Sequence, residues 1–260
     1  MMIVTTGIQP AETELERAKK IANEQQIPFM PRGRTSIPNL FSKYQAEAVL
    51  IVTQGKVRLF RADQPVLEYH PSMGYVRAKR LLKNESDPMI ETAQIQPGDS
   101  VLDCTAGLGT DSLVFAVAVG ENGLVRCLEA SPELSILLRE GLASYEVEKP
   151  LVTQAMRRIE VLNTDHLAYL KSLPDRSFDV VYFDPMFRKP VYDSSAISPL
   201  RLYADSRALQ QESIQEAIRV ARKTVVLKEK KGSGEMERLG FNSEGRVHAK
   251  ITYGVITVDR

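Results

Sequence analysis

A buried-type strand that runs into a glycine turn and then straight into a helix constrains this chain more than any other feature. It reads Val-Leu-Asp-Cys-Thr-Ala-Gly-Leu-Gly-Thr-Asp over residues 101–111. Gly107 and Gly109 let the backbone turn tightly and approach a ligand closely, and the helix that follows offers unpaired N–H groups at its amino terminus. From residue 100 onward strand and helix patterns alternate. Strands are predicted at 100–105, 124–128, 159–163, 178–183 and 224–228, and helices at 111–119, 132–144, 166–173 and 206–222. Helix-length gaps between short apolar strands indicate βαβ units and a parallel sheet, hence an α/β fold. The end departs from that pattern, with 246–252 and 255–258 expected as a closing antiparallel pair.

The first part of the chain reads differently, as a small α+β region over 1–83 ahead of a main domain over 84–260. A short strand is predicted at 3–6 and a helix at 11–26, with Leu15, Ala18, Ile21 and Ala22 at helical spacing. Two β-rich runs, 48–53 and 56–61, are split by Gln54-Gly55 as a hairpin, and 65–69 extends them into a small antiparallel sheet. Ser72 sits where an N-cap belongs, opening a helix to about residue 83.

Composition narrows the classes. With 260 residues, 43% hydrophobic and 26% charged, the chain is ordinary globular protein and needs no disulfide or metal staple. Cys104 and Cys127 lie in strand-like runs and read as buried thiols, while His70, His166 and His248 are scattered, so no metal is expected. The apolar run 113–119 is too short to cross a bilayer, and the amino terminus lacks the features of a signal peptide. A cytoplasmic protein with no membrane partner is the expectation. The formal net charge of +1 hides an asymmetry. Residues 1–83 carry 13 basic and 7 acidic side chains, 84–185 carry 7 and 17, and 186–260 carry 14 and 9. Two basic flanks bracket an acidic middle, so near-neutrality does not exclude a nucleic-acid partner.

Strand ends carry the candidate chemistry. Glu129 lies 20 residues past Gly109 at the end of the next strand, where a carboxylate can accept hydrogen bonds from both ribose hydroxyls of an adenosine. Asp165 follows the third strand, placed either to meet the adenine edge or to cap the next helix. The fourth strand ends in Asp184-Pro185-Met186-Phe187. An exocyclic base amine is a poor nucleophile because its lone pair is conjugated into the ring. The Asp184 carboxylate and Pro185 carbonyl can each accept one N–H and aim the nitrogen at an electrophilic methyl, while Phe187 stacks on the extruded base. Most of the rate would come from alignment and desolvation. Reading the loop instead as a nicotinamide dinucleotide site lacks the third glycine, replaced by Ser112, and leaves Asp-Pro-Met-Phe unexplained.

On these residues, 100–260 resembles the class I S-adenosylmethionine-dependent methyltransferases. Within them it is most similar to the small-subunit ribosomal RNA guanine-N2 methyltransferases, typified by Asp-Ala-Thr-Ala-Gly-Leu-Gly-Arg-Asp and Tyr-Leu-Asp-Pro-Met-Phe. Those motifs stand here as 103–111 and 182–187. The resemblance implies a Rossmann-like seven-stranded sheet with a reversed last strand. It further implies S-adenosyl-L-methionine as cofactor, with contacts at Asp103, Gly107, Gly109, Thr110, Asp111, Glu129, Ala130, Thr164, Asp165 and Asp184. RNA, from the ribosome or its small subunit, is the implied partner. The family's arginines are replaced by Thr110 and Ala130, and the amino-terminal region does not obviously match. Other acceptors (tRNA, DNA, protein or a small molecule) and a non-catalytic RNA assembly factor are the competing readings.

Substrate-binding candidates flank the motifs. His70, Ser72 and Met73 are expected to fold over the methionine end of the cofactor, with Arg77, Lys79, Arg80 and Lys83 as phosphate contacts on an exposed helix. Arg188, Lys189, Tyr192 and Arg201 follow the Asp-Pro-Met-Phe motif, and Lys228 ends the fifth strand on the same edge. A solvated helix face or a plain loop is the bland alternative for each.

Overall fold

Two sheets form, one from each of the two sequence patterns. The computed structural model describes residues 1–186, 200, 203, 205, 207–242 and 250–258. They divide into two compact units, Met1–His70 with Arg139–Tyr145, and Pro71–Leu138 with Glu146–Arg260.

The first unit contains β1 (Met2–Thr6), α1 (Glu12–Glu24), α2 (Ile37–Tyr44), β2 (Ala48–Thr53), β3 (Lys56–Arg61) and β4 (Leu67–Glu68). Its sheet runs β1-β2-β3-β4. The hairpin is as expected, closing where Thr53 faces Lys56 and Gly55 takes a positive φ of 72°. β1 joins by parallel pairing with β2, so the sheet is mixed; the helix-bearing connection between them is long enough to bring the chain back in the same direction. Ile3, Leu40, Val49 and Ile51 form its core.

The second unit opens with α3 (Ser72–Leu81) and α4 (Pro88–Ala93). It continues with β5 (Ser100–Asp103), α5 (Thr110–Ala118), β6 (Leu124–Glu129), α6 (Pro132–Ser144, counted with the first unit from Arg139 on), α7 (Pro150–Arg157), β7 (Ile159–Asn163) and α8 (His166–Ser172). β8 (Phe178–Phe183), α9 (Gln211–Val220), β9 (Ala221–Lys230), α10 (Glu235–Leu239) and β10 (Ile251–Thr257) complete it. The unit begins at Pro71, whereas the sequence pattern suggested a division at 83. The reason is close packing of α3 on α5: a Cβ on Gly74 would lie 2.7 Å from the Thr110 carbonyl oxygen.

Among the described residues the sheet has six strands, in the order β10-β9-β8-β5-β6-β7, where the resemblance implied seven. Five are parallel, and β10 runs antiparallel to β9 as the reversed edge. The pair expected at 246–252 and 255–258 is instead one continuous strand, with 243–249 outside the described residues. Gly254 is there for close approach rather than for a turn, since a Cβ on it would lie 2.5 Å from Met236 Sδ. The order reverses between β5 and β8, and a crevice at the carboxyl ends of such strands is where ligands bind in open α/β sheets. Among the described residues no helix is long and apolar enough to cross a membrane.

Candidate functional site

The register of β5 against β8 sets Asp103 level with Tyr182, so the glycine loop and the Asp184-Pro185 turn leave the sheet side by side. One hydrogen bond ties them: the Asp184 N–H donates to Thr105 Oγ1 at 2.5 Å. Asp103 is buried under the loop, accepting Ser112 Oγ at 2.5 Å and the Thr105 N–H at 3.1 Å. Burial pushes its carboxyl up to about 7. Ser112, which stands where a dinucleotide loop has its third glycine, is therefore a strut for the loop. Gly107 and Gly109 take φ of 55° and 71°, as the turn demands. A Cβ on Gly109 would also meet Leu138 Cδ1 at 2.6 Å.

Beside the loop lies an open cleft, lined in part by Thr105, Gly107, Glu129, Ala130, Thr164 and Asp184. Glu129 Oε2 accepts the Gly107 N–H at 2.9 Å and Oε1 accepts the Ser131 N–H at 2.8 Å. Each oxygen keeps one acceptor position, the number a vicinal diol requires. Burial raises Glu129 to about 6 against the pull of the backbone N–H groups of Ser131 and Gly107. Leu128, Met186 and Leu209 give the cleft apolar walls suited to a purine. The acceptor carboxylate beside apolar walls fits an adenosine-bearing ligand.

The comparisons with known proteins agree with that geometry. Residues 36–240 match the family model described as "Putative SAM-dependent methyltransferase". This chain belongs to the SAM-dependent methyltransferases. Among relatives, it is 40% identical over 254 residues to "Uncharacterized protein YpiP" of Bacillus subtilis (strain 168), covering 98% of each chain. It is 31% identical over 184 residues to the ribosomal RNA small subunit methyltransferase J of Idiomarina loihiensis, covering 69% of this chain and 65% of that one. A solved SAM-dependent methyltransferase from Neisseria gonorrhoeae shares the fold, with a TM-score of 0.61 at 19% identity over 99% of this chain and 96% of that one. S-adenosylmethionine is accordingly the cofactor of this methyltransferase.

Not every expected contact lies in the methyltransferase cleft. Asp111 points into a buried ion network: Arg77 pairs with its Oδ1, while Tyr182 Oη and Lys228 Nζ donate to Oδ2 at 2.7 and 2.8 Å. Lys228 and Arg77 hold its carboxyl below the usual carboxylate range. Arg77 is not on an exposed face, contrary to the phosphate-contact expectation. Its guanidinium is forked on Asp87 at 2.8 Å to each oxygen, because α3 presses against α5 and the α4 cap. Arg80 is exposed and pairs with Glu85 at 2.8 Å. Lys228, expected beside RNA, is largely buried and bridges Asp111 and Asp184.

Asp165 caps α8, its Oδ1 accepting from Leu167 and Ala168, while its Oδ2 takes Arg207 at 2.6 Å. Thr110 opens α5 against Gly74. His70 lies edge-on to the Tyr145 ring, 5.6 Å between centroids, and Ser72 is the first residue of α3 with φ 42°. Phe187, Arg188, Lys189, Tyr192 and Arg201 fall outside the described residues. Sequence reasoning missed His166 and Arg207, both on the cleft wall. His166 carried a signal, since it directly follows the third-strand Asp165; Arg207 fell at the start of the helix expected over 206–222, whereas α9 begins at Gln211.

Proposed function

We propose that this methyltransferase modifies an exocyclic amine of an RNA base, with guanine N2 of small-subunit ribosomal RNA as the target, in the cytoplasm. The observation that carries the reading is Asp184-Pro185-Met186 on the wall of the same cleft as Gly107 and Glu129. Bound S-adenosylmethionine supplies a methyl group made electrophilic by its sulfonium. Glu129 holds the ribose, with Gly107, Ala130 and Thr164 as the backbone and floor around it. Asp184 and the Pro185 carbonyl accept the two N–H groups of the amine and turn its lone pair toward the methyl. As the nitrogen takes the methyl it sheds one proton, which the Asp184 carboxylate is placed to accept. Phe187, next in the motif, stacks on the base. The Idiomarina relative's name supports a ribosomal acceptor.

The test is incubation of the full chain with labelled S-adenosylmethionine and RNA or small subunits from cells lacking the gene. The expected product is N2-methylguanosine in small-subunit RNA by mass analysis. Label in tRNA, DNA, protein or a small molecule alone, or in nothing, overturns the RNA assignment. An Asp184→Ala chain is expected to lose at least about 10²-fold in transfer while still binding cofactor and RNA.

A further inference from the structure

We propose that Lys228 is a positioning residue that orients and charges Asp184, and not a contact to RNA phosphate; this rests on the reading of Asp184 as the acceptor of the amine. The register of β8 on β9 pairs Phe183 with Leu227, which sets residue 184 beside residue 228. Lys228 Nζ then donates to Asp184 Oδ2 at 2.7 Å and to Asp111 Oδ2 at 2.8 Å, with the side chain only 15% exposed. An ammonium has three donors. With two of them on carboxylates, Asp111 buried and Asp184 partly so, swinging to a phosphate would leave the buried Asp111 charge without this partner, at a cost above the gain from one phosphate contact.

The bridge is itself held. Asp111 is braced from behind by Tyr182 and Arg77, and Arg77 by Asp87, whose carboxylate also caps α4 through the Met89 N–H at 3.1 Å. Asp184 thus stands at the end of a rigid chain of ion pairs running through α4, α3, α5 and β9. Lys228 occupies Oδ2, and Oδ1 has no other hydrogen-bond partner among the described residues, so it is the oxygen left for the amine. The arrangement also sets charge. Burial raises Asp184 to about 6, and Lys228 pulls against it. Asp111 from α5, Asp103 from β5 and Glu229 from β9 add negative charge that works against ionisation. Arg77 from α3 is the other cation of the network, and Tyr182 and Tyr253 face it as neutral phenols whose ionisation burial opposes. Without Lys228, Asp184 would be protonated at neutral pH and would offer the amine a donor where an acceptor is needed.

The experiment is steady-state kinetics of the full chain from pH 5.5 to 9, comparing wild type, Lys228→Gln and Lys228→Arg on the RNA identified above. Lys228→Gln should lower kcat by about 10²-fold or more with the KM for RNA within about 3-fold of wild type. Its acid limb should move up by about one pH unit or more, and Lys228→Arg should restore most of kcat and return the limb. Should Lys228→Gln fail to fold, Lys228→Met, which keeps the apolar stem without the charge, carries the same prediction for kcat and the limb. A rise of about 10-fold in the KM for RNA, with kcat and the limb unchanged, makes Lys228 a phosphate contact and overturns the proposal. So does unchanged kinetics. A wild-type chain that methylates no RNA fails the functional reading and this proposal with it, whereas a wild type that methylates RNA beside an unaffected Lys228→Gln overturns the positioning role alone.

Discussion

Glu129 Oε2 accepts the Gly107 N–H at 2.9 Å, so the end of β6 and the glycine loop after β5 form one hydrogen-bonded edge of the cleft. Burial raises Glu129 to about 6 from an ordinary 4.5. A raised carboxyl favours the protonated folded state: its contribution to folding is complete below 4.5 and is lost as pH rises through about 6. Cofactor binding runs the other way, since ribose hydroxyls need acceptor oxygens. Calorimetry should show S-adenosylmethionine affinity falling several-fold as pH drops through about 6, and Glu129→Gln should bind at least about 10-fold more weakly with that dependence flattened. Affinity that is flat across this range in the wild type would remove Glu129 from the cofactor site.

Arg77 sits between two buried carboxylates, and truncating it leaves Asp87 without its ion-pair partner and Asp111 with Lys228 as its remaining cation. Arg77→Met should lower unfolding free energy at pH 7 by about 3 kcal/mol. Arg80→Ala, on the same helix but in an exposed pair with Glu85, should change it by less than about 0.5 kcal/mol. Asp111 is held below its ordinary 3.8, so its stabilisation is present above that value and is lost as pH falls further. The deficit of Arg77→Met should therefore shrink in acid. Denaturant unfolding at pH 7 and pH 3 measures both, and equal effects of the two substitutions would refute the buried network.

Gly74 meets the carbonyl of Thr110, and backbone cannot swing aside as a side chain can. Gly74→Ala should therefore lower stability by about 1–3 kcal/mol despite the better helix propensity of alanine. A thermal midpoint at or above wild type would show that α3 can slide along α5.

Asp165 acts as a helix cap. Asp165→Ala should reduce stability by about 1 kcal/mol, and Asp165→Ser should recover most of it. Both should bind S-adenosylmethionine as wild type does in calorimetry. A loss of affinity in the serine variant would return Asp165 to the adenine edge.

Much of the fold was legible because its signals are local. The alternation of strand and helix, the hairpin at Gln54-Gly55 and the glycine loop each follow from short-range periodicity or from φ requirements. β10 departs from the expected pair because Gly254 continues the strand, its lack of a side chain answering to the close approach of Met236 from α10. The cleft residues Gly107, Glu129 and Asp184 were found because they sit at strand ends, where topology alone directs them to one edge. Arg77 and Lys228 looked like surface cations. Their burial depends on α3 lying on α5 and on the register of β9 against β8, neither of which any local pattern encodes.

The glycine loop and the strand-end carboxylates, then, were determined by the sequence itself: backbone conformation and strand direction are properties of a few adjacent residues. Which charges meet was decided only by the tertiary structure. Asp87, Arg77, Asp111, Lys228 and Asp184 lie far apart in the chain, and an ion pair forms where packing removes water between two side chains, not where the sequence places them.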